Sequence, residues 1–139
     1  MLNPKDTRIL STNDENIRIA AQLIQNGDVA AMPTETVYGL AADATNPKAI
    51  RRIFKIKGRP QDNPLIVHIS DISMLERLTS NVPKIAHELA KDFWPGPLTI
   101  VLPKSNLIPY EISAGLDTVA IRMPDHDVAI RLINESGVP

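Results

Sequence analysis

Between Met32 and Leu40 the chain reads Met-Pro-Thr-Glu-Thr-Val-Tyr-Gly-Leu, setting the hydroxyls of Thr34, Thr36 and Tyr38 and the carboxylate of Glu35 beside a glycine. Side chains of this kind, held close together, can orient a small polar ligand by hydrogen bonds. The same composition also describes an ordinary polar turn. Lys55, Lys57 and Arg59 follow around Gly58. They can hold an anion such as a phosphate, yet cations at a helix C-terminus are favourable for dipole reasons alone, by about 0.3–1 kcal/mol. Arg122 stands in the apolar run Val119-Ala-Ile-Arg-Met123. Turned inward, it needs a carboxylate, either from an internal Asp or Glu or from a ligand held bidentately. His68 lies in Leu65-Ile-Val-His-Ile69, where a hydrogen-bonded core histidine and a site residue are both open readings. His87 and His126 read as surface residues.

Several chemistries are excluded. The chain has no cysteine, which removes thiolate catalysis, thiolate metal sites and disulfides. Its three histidines show no HxH or HExxH spacing. The glycines never form GxGxxG or GxxxxGK[ST], so side-chain cations would have to manage the phosphates of any bound nucleotide. Neither a Gly-x-Ser-x-Gly elbow nor a Ser/His/Asp order stands out. An enzyme made from these residues works by positioning and charge neutralisation, without a covalent intermediate.

The elements that must carry these residues alternate along the chain. Residues 1–11 read as an arm with a short edge strand. Thr12 to Glu15 has capping-box spacing, and Ile17, Ala20, Ala21 and Ile24 recur at helical intervals until Gly27. A strand over 28–32 ends at Pro33, which has no donor for a ladder, so a loop must follow. In α/β proteins, loops at strand ends are where ligands bind. Asn46-Pro47 opens a helix that reaches about Lys57, with Ile50, Ile53 and Phe54 on one face. A strand at 65–69 and helices at 73–78 and 83–93 come next, the latter with Ile85, Ala86, Leu89, Ala90 and Phe93 inward. Trp94-Pro-Gly-Pro97 is a rigid turn before a strand at 98–102. The connection over 103–116 holds a short strand at 110–112, and 117–123 forms another strand. Asp125 caps a final helix that Gly137 ends. In that last strand Thr118, Ala120 and Arg122 share one face and Val119, Ile121 and Met123 the other. The class is α/β, with a sheet of mixed pairing.

The chain has 139 residues, 43% of them hydrophobic, enough to fill one core. Twelve prolines, against about seven at average usage, punctuate the periodic segments. With one Trp, two Tyr and two Phe there is no surface of base-stacking rings, and a net charge of -1 argues against a backbone-binding nucleic-acid domain. No signal peptide or membrane-spanning run is present.

Taken in order, Pro33-Thr-Glu-Thr-Val-Tyr-Gly-Leu40, Lys55-Ile-Lys-Gly-Arg-Pro60, Asn63-Pro-Leu-Ile-Val-His68, Trp94-Pro-Gly-Pro-Leu-Thr99 and Val119-Ala-Ile-Arg-Met-Pro124 resemble the YrdC-type L-threonylcarbamoyl-adenylate synthases. The resemblance runs from Ile17 onward. It implies a YrdC-like twisted mixed sheet with flanking helices around a concave, positively lined cavity. The implied reaction condenses L-threonine, bicarbonate or CO2, and ATP, with Mg2+ on the triphosphate, to threonylcarbamoyl-adenylate and pyrophosphate. The product serves the threonylcarbamoyl modification of transfer-RNA adenosine through a separate transferase machinery, in the cytoplasm.

Carried onto matching positions, the resemblance makes Thr36, His68 and Arg122 the threonine contacts. Arg59, Asn63 and Thr118 become ATP contacts, with Lys57 a helper in the same patch. No nucleophile, base or metal ligand is assigned, and Glu35 receives no role. The family pattern continues into a further strand and a Ser/Thr-x-Ala-Asn segment, so the expectation is a single YrdC-like domain over 1–139 that is C-terminally incomplete. Two rivals stand beside the synthase: a double-stranded RNA-binding module, with weak RNA affinity, and an inactive fragment of the enzyme.

Overall fold

The computed structural model describes residues 7–139. Residues 7–11 carry no strand, and the rest of the expected arm lies outside the described residues. Helix α1 (Asp14–Gln25) is capped by Asn13, whose Oδ1 accepts from Asn16 N at 2.9 Å. The cap is thus one residue later than the Thr12 box suggests, and asparagine is at least as good a cap as threonine. Ile17, Ala21 and Ile24 are buried, as their spacing requires.

Strands β1 (Ala30–Met32) and β2 (Gly39–Ala41) form an antiparallel hairpin, Ala31 opposite Leu40. The second of these was not expected: three small or aliphatic residues leave little pattern. Helix α2 (Pro47–Lys57) starts at Asn46, whose side chain accepts from Lys48 N and Ala49 N, and stops at Gly58, left-handed with φ +59°. It buries Ile50, Ile53 and Phe54.

The remaining elements are β3 (Ile66–His68), α3 (Ile72–Leu78), α4 (Lys84–Phe93), β4 (Ile100–Pro103), α5 (Tyr110–Ser113), β5 (Thr118–Arg122) and α6 (Asp127–Ser136). The second sheet has the order β3-β5-β4, with β3 parallel and β4 antiparallel to β5. Three local expectations are corrected. Residues 110–113 are helical, not extended: Pro109 precedes a single turn that buries Ile112, and the Tyr-x-Ile alternation imitates a strand. The last helix is capped by His126, whose Nδ1 accepts from Val128 N at 3.2 Å, not by Asp125. On α4, Ala86 and Ala90 face the core, while Ile85 and Phe93 are 58% and 55% exposed. Leu89 packs against the same core, as expected, and the two alanines let the helix approach closely there, which leaves Ile85 and Phe93 on the outer side.

The two faces of the β3-β5-β4 sheet differ. Val67, Ile121 and Ile100 lie across from one another and are buried with Leu75, Leu78, Ala86 and Ala90 in the main core. A second apolar cluster joins α1 and α6 through Ala21, Ile24, Ala129 and Leu132. The opposite sheet face has the register row Ile66–Ala120–Val101, its two ends 47% and 60% exposed. Thr118 and Arg122 of β5 share that open face, as the alternation predicts. Among the described residues, no helix is long and apolar enough to cross a membrane.

Candidate functional site

Parallel pairing of β3 with β5 places His68 directly opposite Arg122 on the open face. The loop between β1 and β2 comes to meet them. Its shape is set by Thr34, whose Oγ1 donates to Val37 O at 2.7 Å and accepts from Val37 N at 3.2 Å and Thr36 N at 3.3 Å. A hydroxyl taking two amides and giving to a carbonyl makes this six-residue connection a defined turn. Glu35 and Thr36 are thereby presented to the sheet.

Arg122 is only 9% exposed and its donors are largely engaged. Nε donates to Gly96 O at 3.2 Å, Nη2 pairs with Glu35 Oε1, and Thr36 Oγ1 lies 3.4 Å from Nη1 and 3.5 Å from Nη2. The partner that an inward arginine needs is therefore inside the chain. Glu35, which the sequence left without a task, is that partner, and its Oε2 accepts from Asp125 N. Gly96 belongs to the Trp-Pro-Gly-Pro turn, which has a cis Trp94–Pro95 bond. Gly96 N donates to Met123 O at 2.8 Å and Trp94 Nε1 to Leu98 O at 2.7 Å, which fixes the carbonyl that receives Arg122.

His68 is half-buried, and burial pushes its imidazole below the ordinary value of 6.5. The contact of Nδ1 with Ile66 O at 3.3 Å opposes that shift without cancelling it. At neutral pH the ring is uncharged. With Nδ1 on the carbonyl, Nε2 is the nitrogen left to meet a ligand.

The cations lie around an adjoining cavity that His68 borders and that Thr36 and Arg122 do not line. A cavity of about 250 Å³ between the hairpin and β3 is lined by Thr34, Lys57, Arg59 and His68, with aliphatic walls from residues such as Leu40 and Ile53. Lys57 and Arg59 supply the positive charge of a mostly apolar lining. Arg59 Nη2 donates to Pro64 O at 2.9 Å, folding the 59–64 loop, and its Nε is buried with no partner among the described residues. An orphaned guanidinium N–H costs free energy until an acceptor reaches it.

Lys57 is exposed. Asn63 is exposed and outside that lining, and Thr118 sits at the far end of β5, four residues or about 13 Å from Arg122. The structure thus gathers Thr36, His68 and Arg122, links His68 to Lys57 and Arg59 through the cavity, and leaves Asn63 and Thr118 at the periphery. Glu35, Gly96 and Asp125 were missed as site residues. Glu35 alone carried a signal, as a lone loop carboxylate in a chain with one intrastrand arginine lacking a partner. Among the described residues, no three His, Cys, Asp or Glu converge as metal ligands.

An α/β scaffold with an open sheet face, a hydroxyl-bearing loop and a cation-lined cavity that meets them at His68 can hold a small polar ligand beside an anionic one. Residues 22–139 match the family model Sua5_yciO_yrdC, described as "Telomere recombination". The chain belongs to this family. It is 57% identical over 131 residues to the threonylcarbamoyl-AMP synthase of Bacillus subtilis, covering 94% of the chain and 38% of that protein. The Pyrococcus abyssi threonylcarbamoyl-AMP synthase is also 57% identical, over 123 residues, 88% of the chain and 36% of the relative. A crystal structure of P. abyssi Sua5 complexed with L-threonine superimposes with a TM-score of 0.90 at 54% identity, covering 96% of the chain and 38% of the solved protein. The chain therefore spans less than two-fifths of the length of these relatives.

Proposed function

We propose that the chain carries the L-threonine- and ATP-binding face of a threonylcarbamoyl-AMP synthase. The observation that supports this most is the meeting of Thr36, Arg122 and His68 from three separate segments on one open sheet face. The L-threonine in the 54% identical P. abyssi structure points to the same ligand.

Arg122 retains N–H donors on Nη1 beside the Thr36 hydroxyl, and the substrate carboxylate binds there. Thr36 and the free Nε2 of His68 take the remaining polar groups of threonine. The amine combines with bicarbonate to give a carbamate and water, or adds CO2 directly. A carbamate oxygen then attacks the α-phosphorus of ATP, forming the mixed anhydride and releasing pyrophosphate. Little covalent chemistry falls to the protein, so positioning and charge dominate. Lys57 and the unpaired Nε of Arg59 stabilise charge on the phosphate oxygens. Asn63 and Thr118 hold the nucleotide from the rim. Magnesium enters as part of the ATP substrate, on phosphate oxygens and water. The product passes to a transfer-RNA threonylcarbamoyl-transferase machinery, which makes the setting cytoplasmic.

The test supplies purified chain with ATP, labelled bicarbonate and one amino acid at a time. A labelled adenylate with threonine and none with alanine supports the proposal. Steeply salt-dependent binding of double-stranded RNA with no ATP-dependent product overturns it in favour of the RNA-binding module.

A further inference from the structure

Among the described residues, the hairpin and the three-stranded sheet share no ladder hydrogen bond. Glu35 crosses between them. One oxygen of its carboxylate pairs with Arg122 Nη2 at the end of β5, and the other accepts from the backbone of Asp125 in the turn that enters α6. The carboxylate side chain is 22% exposed and that of the arginine 10%, so water screens the pair weakly. Charge-assisted hydrogen bonds are roughly twice as strong as neutral ones. Thr36 is the next residue, and its own contacts with Arg122, at 3.4 and 3.5 Å, are too long to hold the loop. The Thr34 turn keeps Glu35 and Thr36 in a fixed relation, so whatever anchors Glu35 also sets where the Thr36 hydroxyl stands.

We propose that Glu35 is a positioning residue for the amino-acid end of the site. It touches no substrate. It ties the 33–38 loop to β5 and to the α6 turn, and so fixes the gap between Thr36 and Arg122 into which the ligand carboxylate fits. It also neutralises the guanidinium and occupies Nη2, which confines an incoming carboxylate to the Nη1 side, next to Thr36. This inference rests on the threonine reading above.

The experiment compares the chain with its Glu35→Ala and Glu35→Gln variants, by amide hydrogen exchange without ligand and by calorimetric titration with L-threonine and with ATP. Glutamine keeps the length and an acceptor for Asp125 N–H but loses the charge on Arg122, and is the variant to rely on if alanine fails to fold. In Glu35→Ala, exchange at Asp125 and across 34–38 should accelerate about tenfold or more, with α1 and α4 unchanged. L-threonine Kd should rise about tenfold in both variants while ATP Kd stays within about twofold. Unchanged exchange at Asp125 in the alanine variant, or equal weakening of both ligands, overturns the proposal. If the parent chain protects Asp125 yet binds no L-threonine, the threonine reading itself fails and takes this role with it. The protected amide would show that the tie exists and that its purpose was misassigned.

Discussion

Replacing Arg122 by alanine removes the group on which the site converges. The guanidinium is lost from Gly96 O, from Glu35 and from Thr36, and Glu35 is left with the Asp125 amide alone. Breaking a buried ion pair from one side costs about 3–5 kcal/mol, because the surviving charge stays uncompensated. Glu35 is 22% exposed and keeps one N–H donor. The cost therefore falls at or just below the bottom of that range, about 2–3 kcal/mol. Urea unfolding should show this as a fall in midpoint at constant slope. Removing both charges, in a Glu35→Ala/Arg122→Ala double variant, should recover part of the loss, since no orphan carboxylate remains. An exposed arginine such as Arg18, 65% exposed and 3.5 Å from Glu135, serves as the control and should cost under about 1 kcal/mol. In titrations, Arg122→Ala should weaken L-threonine by about thirtyfold or more, the loss expected when a desolvated charge partner is removed, and leave ATP nearly unaffected. A destabilisation no larger than that of Arg18→Ala, or a double variant worse than the sum of its parts, would mean that Arg122 and Glu35 are not a stabilising pair. Equal loss of both ligands would make Arg122 structural.

Three further outcomes follow from the same geometry. In Gly96→Ala the new Cβ would sit 2.5 Å from Phe93 O, so the turn must shift and carry away the carbonyl that receives Arg122. Stability should fall by about 1–3 kcal/mol and L-threonine affinity with it, measured by urea unfolding and calorimetry. His68 has a folded pKa below its unfolded value because burial disfavours the cation. Its contribution is complete above about pH 6.5 and is lost as pH falls through the folded value. Unfolding midpoints taken across that window should decline with acid, and His68→Asn should flatten the decline. Asn46→Ala deletes the acceptor of Lys48 N at 3.0 Å and Ala49 N at 3.4 Å. The α2 cap it removes is worth about 1 kcal/mol, which urea unfolding resolves, and binding of either ligand should be unchanged.

Legibility tracked the range of the interactions. Helices α1 and α2 could be read because caps, periodic aliphatics and a terminal glycine are all local. The inward face of α4 was read too widely: Ala86, Leu89 and Ala90 pack on the core as their spacing suggests, whereas apolarity alone added Ile85 and Phe93. β2 escaped because a three-residue strand leaves too short a pattern, and residues 110–113 because one buried isoleucine suits a turn of helix as well as a strand. In the site, the need of Arg122 for a counter-charge followed from strand alternation. The identity of its partner did not, since Glu35 lies 87 positions earlier and meets it only when the hairpin folds over the sheet. The Gly96 carbonyl and the Asp125 amide are backbone groups, which no residue type announces.

The open face of β3 and β5, closed on one side by the Thr34–Tyr38 loop, is the proposed L-threonine site. Titrating the 15N-labelled chain with L-threonine and mapping the amide shifts tests it most directly. Saturable shifts centred on Thr36, His68, Arg122 and the tethered Asp125 are expected, with much smaller shifts at the same concentration of L-alanine. Saturable shifts centred on another part of the fold, or an identical response to both amino acids, would contradict that assignment.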